Sequence, residues 1–202
     1  FHYLRDNGPS HVLCFAPTRS GKGVGLVLPT LLSWKHSTVV SDLKGELWQL
    51  TSGWRKQHAN NVVLRFEPGS SESCARWNPL DEVRLGTADE TGDIRNLTET
   101  IIDPKGKGLE DFWMQSAANL LEAIITHVLY KREREGTPAN MQAIAYYLAD
   151  PDNPDMKLED KLKEMVEYGH YADGSTHRLV SSMGKAMMAK PENERGSVIS
   201  TM

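Results

Sequence analysis

The sequence has few residues of the kinds that build disulfide frameworks or metal clusters. Its 202 residues include two cysteines, Cys14 and Cys74, and no CxxC or Cys/His grouping. A disulfide scaffold and a zinc module are therefore not predicted, and a reducing compartment fits the cysteine content. The seven histidines are scattered without the spacing of metal ligands, and we assign none of them to a metal.

Long apolar runs and a bulk excess of basic residues are also lacking. No stretch approaches the ~20 apolar residues of a membrane helix, and no signal peptide is recognisable. The net charge is −4, which gives no general argument for nucleic-acid binding. Residues 1–92 carry ten basic and nine acidic side chains, and residues 93–202 carry 13 and 18. The first part tolerates a phosphate ligand, whereas the second suits a protein partner better than a DNA backbone.

Strands and helices are predicted to alternate in the first part of the chain. Short apolar runs at 11–16, 37–42 and 61–66 are typical of buried strands, and helical patterns at 24–34 and 46–55 separate them. This rhythm predicts an α/β fold with a parallel sheet, in a chain whose 39% hydrophobic and 25% charged residues indicate a globular protein.

Helical patterns alone follow the Pro-, Gly- and Ser-rich stretch 67–92. We predict four helices there, beginning at Phe112 and ending before Gly136, then at Met141–Leu148, Leu158–Tyr168 and Leu179–Met188. The predicted organisation is therefore an α/β domain over 1–92 and an all-α domain over 93–202.

The stretch from Ala16 to Gly23, APTRSGKG, approximates the phosphate-binding pattern GxxxxGK[S/T]. A predicted strand precedes it and a predicted helix follows it, as the pattern requires. Gly21 allows the backbone to curl so that successive N–H groups point at phosphate oxygens, and Lys22 adds a mobile positive charge. The predicted phosphate-binding residues are Thr18, Arg19, Ser20, Gly21, Lys22, Gly23 and Val24.

Two positions depart from that pattern. Ala16 replaces the first glycine, and Gly23 replaces the residue whose hydroxyl binds Mg²⁺. The ion then needs water, a nearby hydroxyl or a carboxylate from elsewhere, so the metal ligands stay unassigned. The alternative interpretation is a glycine-rich turn that opens a helix, with Lys22 solvated.

Asp42 ends the second predicted strand. Ligands of parallel α/β sheets bind at the carboxyl ends of strands, which would place Asp42 in the same crevice as Lys22. There it could hold Mg²⁺-bound water or orient Lys22, so both are our candidate catalytic residues. The alternative is an aspartate that caps the next helix. Glu46 fits a first-turn helix carboxylate better than a catalytic base.

The stretch 77–82, WNPLDE, contains an acidic pair but does not predict a Walker B strand. A buried apolar strand would have to precede the acids, and Pro79 is incompatible with a central strand. A loop is the preferred prediction.

Taken together, the motifs resemble those of one family. Five motifs follow one another along the chain: APTRSGKGVG at 16–25, DLKGE at 42–46, WNPLD at 77–81, DPKGKG at 103–108 followed by Phe112-Trp113, and GSVIST at 196–201. Their order is similar to that in TraG-like type IV coupling proteins. The resemblance spans nearly the whole chain, and members of this branch share the glycine after the lysine.

The resemblance implies a partial RecA-like P-loop nucleotide-binding domain followed by an inserted all-α domain that docks cargo. It implies ATP and Mg²⁺ as cofactors, and a homo-hexameric ATPase at the cytoplasmic face of the inner membrane. The implied partners are relaxase and relaxosome proteins, single-stranded DNA and the type IV secretion channel. A membrane anchor is expected before Phe1, and the Walker B acid, catalytic glutamate and remaining strands are expected after Met202. We therefore expect that these residues alone bind nucleotide weakly at best and do not hydrolyse it efficiently.

Two other function classes compete with this hypothesis. A metabolite kinase or small NTPase would need an acceptor pocket and its own base, for which no candidate stands out. A non-catalytic adaptor would keep the loop only to stiffen the fold and would use the helical part to dock protein partners, an option that Ala16 and Gly23 keep open.

Overall fold

A computed structural model describes residues 11–70, 72, 74–109, 111–148, 155 and 157–202. The chain divides into two compact units, an N-terminal unit Phe1–Arg76 and a helical unit Trp77–Met202. This division lies ahead of the boundary near residue 92 that composition suggested. The reason is packing, because Leu80 and Val83 are buried in the core of the helical unit.

The N-terminal unit contains one helix after the phosphate-loop sequence and a second one beyond it. A π-helical turn, Gly23–Val27, continues directly into α1, Leu28–Ser33, with Pro29 tolerated in the first turn. The second helix, α2, spans Glu46–His58 and ends on a left-handed Asn60. Both helices lie where the sequence predicted them, and they pack on each other.

The three segments predicted as strands have no regular secondary structure, and no β-strand occurs among the described residues. Many of their apolar side chains are exposed, including Phe15, Val39 and Val62. A strand is defined by hydrogen bonds to a neighbouring strand. The described backbone hydrogen bonds of these segments instead link Gly45 N–H to the Asp42 carbonyl, Asn61 N–H to the Arg55 carbonyl and Ala75 N–H to the Arg65 carbonyl, and none joins two of the three segments. The α/β class and its parallel sheet therefore stay a prediction.

The helical unit has a short 3₁₀ helix and six α-helices in its described part. They are the 3₁₀ helix Pro79–Glu82, α3 Glu90–Ile102, α4 Phe112–Glu135, α5 Met141–Tyr147, α6 Leu158–Glu167, α7 Arg178–Ala189 and α8 Glu192–Thr201. The four predicted helices correspond to α4, α5, α6 and α7. Two further helices, α3 and α8, were not predicted, because Gly92, Gly196 and several Thr and Ser residues weaken their helical patterns.

The long helix α4 forms the centre of this unit and contacts α3, α5, α7 and α8. Its side chains are buried almost continuously from Ala117 to Tyr130. Asp111 caps its first turn by accepting from the Met114 N–H at 2.7 Å, and a left-handed Gly136 ends it. None of the described helices has the length and apolarity needed to cross a membrane.

Candidate phosphate-binding site

The predicted phosphate loop folds into a tight curl ahead of the π-helical turn. Arg19 and Gly21 both have left-handed backbones, with φ of 62° and 85°, and Lys22 is right-handed. The Ser20 N–H approaches the Pro17 carbonyl at 3.4 Å, and the Gly25 N–H donates to the Gly21 carbonyl at 2.7 Å. A left-handed residue followed by a right-handed one, here Gly21 and Lys22, is the backbone combination from which anion nests are built.

Lys22 folds back across this loop. Its ammonium donates to the Ala16 carbonyl and to the Pro17 carbonyl, the latter at 2.8 Å. The positive charge is thus held beside the loop backbone instead of extending into solvent. Both acceptors are neutral carbonyls, so a phosphate oxygen, as a charged acceptor, would form the stronger hydrogen bond with the same ammonium.

The loop offers few ligands to a divalent cation. Gly23 has no side chain, and the hydroxyls within the loop belong to Thr18 and Ser20, which are exposed. Mg²⁺ prefers several oxygen ligands that include carboxylates. No group of three or more acidic, histidine or cysteine side chains with metal-binding geometry is present in the described ranges. The donor set therefore fits a phosphate group but does not fit a metal held by the loop itself.

Asp42 adopts the helix-capping role. Its Oδ2 accepts a hydrogen bond from the Trp48 N–H at 2.8 Å, in the first turn of α2, whose first residue is Glu46. Asp42 also lines a cavity of about 700 Å³ together with Arg55, and none of the loop residues 16–23 lines that cavity. None of the described hydrogen bonds or ion pairs therefore joins Asp42 or Glu46 to Lys22.

Arg55 is a structural residue that the sequence analysis missed. It is 6% exposed, and its guanidinium donates to the carbonyls of Leu31, Trp34 and His36 at 2.7–2.8 Å. These carbonyls lie at and just beyond the end of α1, where the last turn leaves acceptors without partners. Arg55 therefore fixes α1, the helix that follows the phosphate loop, to α2. Its position in the last turn of α2 gave no sequence signal for this role.

The acids of the stretch 77–82 take part in surface contacts. Asp81 pairs with Arg132 at 2.5 Å, and Glu82 accepts from the Trp77 ring N–H at 3.0 Å. The segment forms the 3₁₀ helix, which agrees with the prediction that it is not a strand.

The helical unit contains a buried histidine network that the sequence analysis also missed. His127 in α4 and His170 in the α6–α7 connection are 0% and 2% exposed, and their Nδ1 and Nε2 atoms lie 2.9 Å apart. The His177 backbone N–H donates to His170 Nδ1 at 3.0 Å, so the His170 proton is on Nε2 and points at His127. The proton of His127 is then on Nε2, 3.7 Å from Glu164 Oε1.

Carboxylates flank this network at both ends. Glu90 lies 3.3 Å from the His177 ring and accepts from the Tyr130 hydroxyl at 2.9 Å. The His127 ring, followed by the ammonium groups of Lys131 and Lys161, holds the pKa of Glu164 well below its usual range. Burial, reinforced by the proximity of His127 and His177, lowers the pKa of His170 to about 4. His170 is thus uncharged near neutral pH, and its contact with His127 links α4 to the α6–α7 connection.

Comparison with known proteins identifies the family. A family model described as "Type IV secretory system Conjugative DNA transfer" matches residues 2–202. The "Conjugal transfer protein TraG" of Escherichia coli is 58% identical over 201 residues, which cover 100% of this chain and 31% of that protein. The "Protein VirD4" of Rhizobium radiobacter is 44% identical over 112 residues, 54% of this chain and 16% of that protein.

More distant relatives agree with this assignment. The "Conjugal transfer protein TraG" of Rhizobium radiobacter is 29% identical over 79% of this chain and 24% of that protein. The chain spans about a third of the length of the TraG proteins from Escherichia coli. It belongs to the TraG-like family of coupling proteins for conjugative DNA transfer by type IV secretion.

Proposed function

We propose that this chain is the nucleotide-binding part of a motor ATPase that links a relaxase–DNA complex to a type IV secretion channel. The observation that carries the proposal is the loop Ala16–Gly23, in which a curled backbone and the Lys22 ammonium lie together. The names of the relatives support DNA transfer as the process. ATP is the proposed nucleotide.

In this proposal the backbone N–H groups of the loop hold the phosphates of the nucleotide. Gly21 is required because its φ of 85° is unfavourable for residues with a side chain. Lys22 exchanges its hydrogen bonds with Ala16 and Pro17 for stronger ones with phosphate oxygens. Arg55 keeps α1 in place behind the loop. The bound nucleotide would supply the free energy of hydrolysis for transport.

The helical unit is the proposed docking site for relaxosome proteins. Residues 77–202 carry 14 basic and 22 acidic side chains, a net charge of −8, whereas residues 1–76 carry nine and five, a net charge of +4. This contrast is sharper than the one seen with a boundary at residue 92. An acidic surface repels a DNA backbone and attracts basic protein segments. Contact with single-stranded DNA, assembly into a homo-hexamer, attachment to the inner membrane and contact with channel proteins complete the proposal, on the strength of the family.

One competing function has a specific observation in its favour. Asp42 caps α2 and is not near Lys22 in the described contacts, and Gly23 offers no hydroxyl. A non-catalytic adaptor that docks protein partners through its helical unit would need neither a catalytic acid nor a metal ligand. The two hypotheses differ in whether Lys22 binds phosphate.

Calorimetry with a non-hydrolysable ATP analogue and Mg²⁺ tests the proposal. The matched variants are Lys22→Ala and Lys44→Ala, because Lys44 is an exposed lysine of the same unit outside the loop. We expect binding by the unmodified chain and by Lys44→Ala, and a loss of about tenfold or more in Lys22→Ala. Equal binding by all three, or binding by none, would argue against the proposed nucleotide site.

A further inference from the structure

We propose that Arg19 is a second phosphate-binding cation of the loop, and that it supplies positive charge which Mg²⁺ bound to a loop hydroxyl supplies in other P-loop proteins. The inference rests on the proposed nucleotide-binding function. It assigns to one side chain the role of compensating for Gly23.

The backbone of Arg19 is the first observation. Among the described residues, two that are not glycine have positive φ, Arg19 at 62° and Asn60 at 54°. Asparagine tolerates this conformation just after a helix, but an arginine side chain disfavours it. A glycine at position 19 would build the same curl with less strain. An outlier of this kind, located in a candidate site, indicates that the side chain has a use there.

The surroundings of Arg19 are the second observation. The ammonium of Lys22 already bonds two carbonyls of the loop, whereas the Arg19 side chain is exposed and has no hydrogen bond or ion pair to any described residue. A guanidinium binds phosphate with two parallel N–H groups and never loses its charge near neutral pH. Among the residues that the structure describes, Arg19 is therefore the loop cation whose side chain is available to an incoming phosphate.

The ligands missing at Gly23 are the third observation. A nucleoside triphosphate brings several negative charges, and the hydroxyl that normally holds Mg²⁺ against them is absent. The described residues contain no acidic cluster that could hold the ion instead. Lys22 and Arg19 together provide two positive charges at the loop. Nucleotide binding should consequently depend less on Mg²⁺ than in a loop with a serine or threonine at this position.

Calorimetry with the non-hydrolysable ATP analogue, in Mg²⁺ and in EDTA, tests this inference on Arg19→Ala, Arg19→Lys, Arg19→Gly and Lys44→Ala. We expect removal of Mg²⁺ to weaken binding of the ATP analogue by the unmodified chain by less than about tenfold. Arg19→Ala and Arg19→Gly should each bind the analogue about tenfold more weakly than the unmodified chain in both buffers. Their binding should also depend more strongly on Mg²⁺. Arg19→Lys should lie between, and Lys44→Ala should match the unmodified chain.

Arg19→Gly separates the side chain from the backbone, because glycine accepts φ of 62° without strain and should leave the fold intact, which circular dichroism checks. If Arg19→Gly binds as tightly as the unmodified chain while Lys22→Ala does not bind, the inference about Arg19 is wrong and the nucleotide site stands. If the unmodified chain does not bind at all, both are wrong.

Discussion

Acid should destabilise the helical unit through His170. This imidazole is 2% exposed, and its pKa falls from 6.5 to about 4 in the fold. Because the folded pKa is the lower one, the unfolded chain binds more protons between these values, and stability is fully present above pH 6.5 and decreases as the pH falls towards 4. One pKa unit corresponds to 1.36 kcal/mol, so lowering the pH from 7 to 5 should cost about 2 kcal/mol of unfolding free energy.

Three acids of the helical unit contribute little to the change in stability between pH 7 and pH 5. The pKa values of Glu164, Glu159 and Asp173 are all lowered from their usual values, so their contributions are lost only below pH 4.5. Urea unfolding followed by far-ultraviolet circular dichroism at pH 7, 6 and 5 measures the effect. His170→Gln keeps a donor and an acceptor but does not titrate, and it should lose about 2 kcal/mol less than the unmodified chain over this range. His36→Gln, at an exposed histidine of the N-terminal unit, is the control. An identical pH slope in His170→Gln and the unmodified chain would refute the argument.

Two further predictions concern packing. Arg55→Ala should destabilise the N-terminal unit by about 2–4 kcal/mol, because three carbonyls lose their charged donor. Arg55→Lys should destabilise it by less, because the lysine ammonium keeps the charge but lacks the planar fork that reaches all three carbonyls. A change below about 0.5 kcal/mol in the unfolding free energy of Arg55→Ala, measured with denaturant, would contradict this. Gly184→Ala should cost about 1–3 kcal/mol, since its Cβ would lie 2.8 Å from a Val166 methyl and 3.0 Å from the Leu162 carbonyl. Gly92→Ala, in the open on α3, should instead stabilise by up to about 1 kcal/mol, and a shift of both variants in the same direction would refute the packing argument.

The sequence predicted those helices whose apolar residues recur at helical spacing. In α6 and α7, Leu162, Met165, Val180 and Met187 are all buried, because a helix buries one face against its neighbour. Helix α3 escaped prediction since Thr98, which is fully buried, takes a place that an apolar residue usually fills. The three strands were inferred from local pattern alone, whereas a sheet depends on pairing between segments distant in sequence.

The candidate site was predictable where a motif is local and not where it depends on the fold. The loop Ala16–Gly23 could be proposed from the sequence because a phosphate nest is made by consecutive residues, and its phosphate binding stays a prediction. Asp42 had two interpretations, and the hydrogen bond from Trp48 favours the cap. Arg55 and the His127–His170 pair have no local signature, because their partners are 19–43 residues away in the sequence.

The most direct test of the account is a mating assay with Lys22→Ala introduced into the gene that encodes this chain in donor cells, and Lys44→Ala as the control. If the phosphate loop serves a DNA-transfer motor, Lys22→Ala should lower transfer by orders of magnitude at unchanged protein level, and Lys44→Ala should transfer normally. Transfer by Lys22→Ala at the unmodified frequency would contradict the motor and support the adaptor.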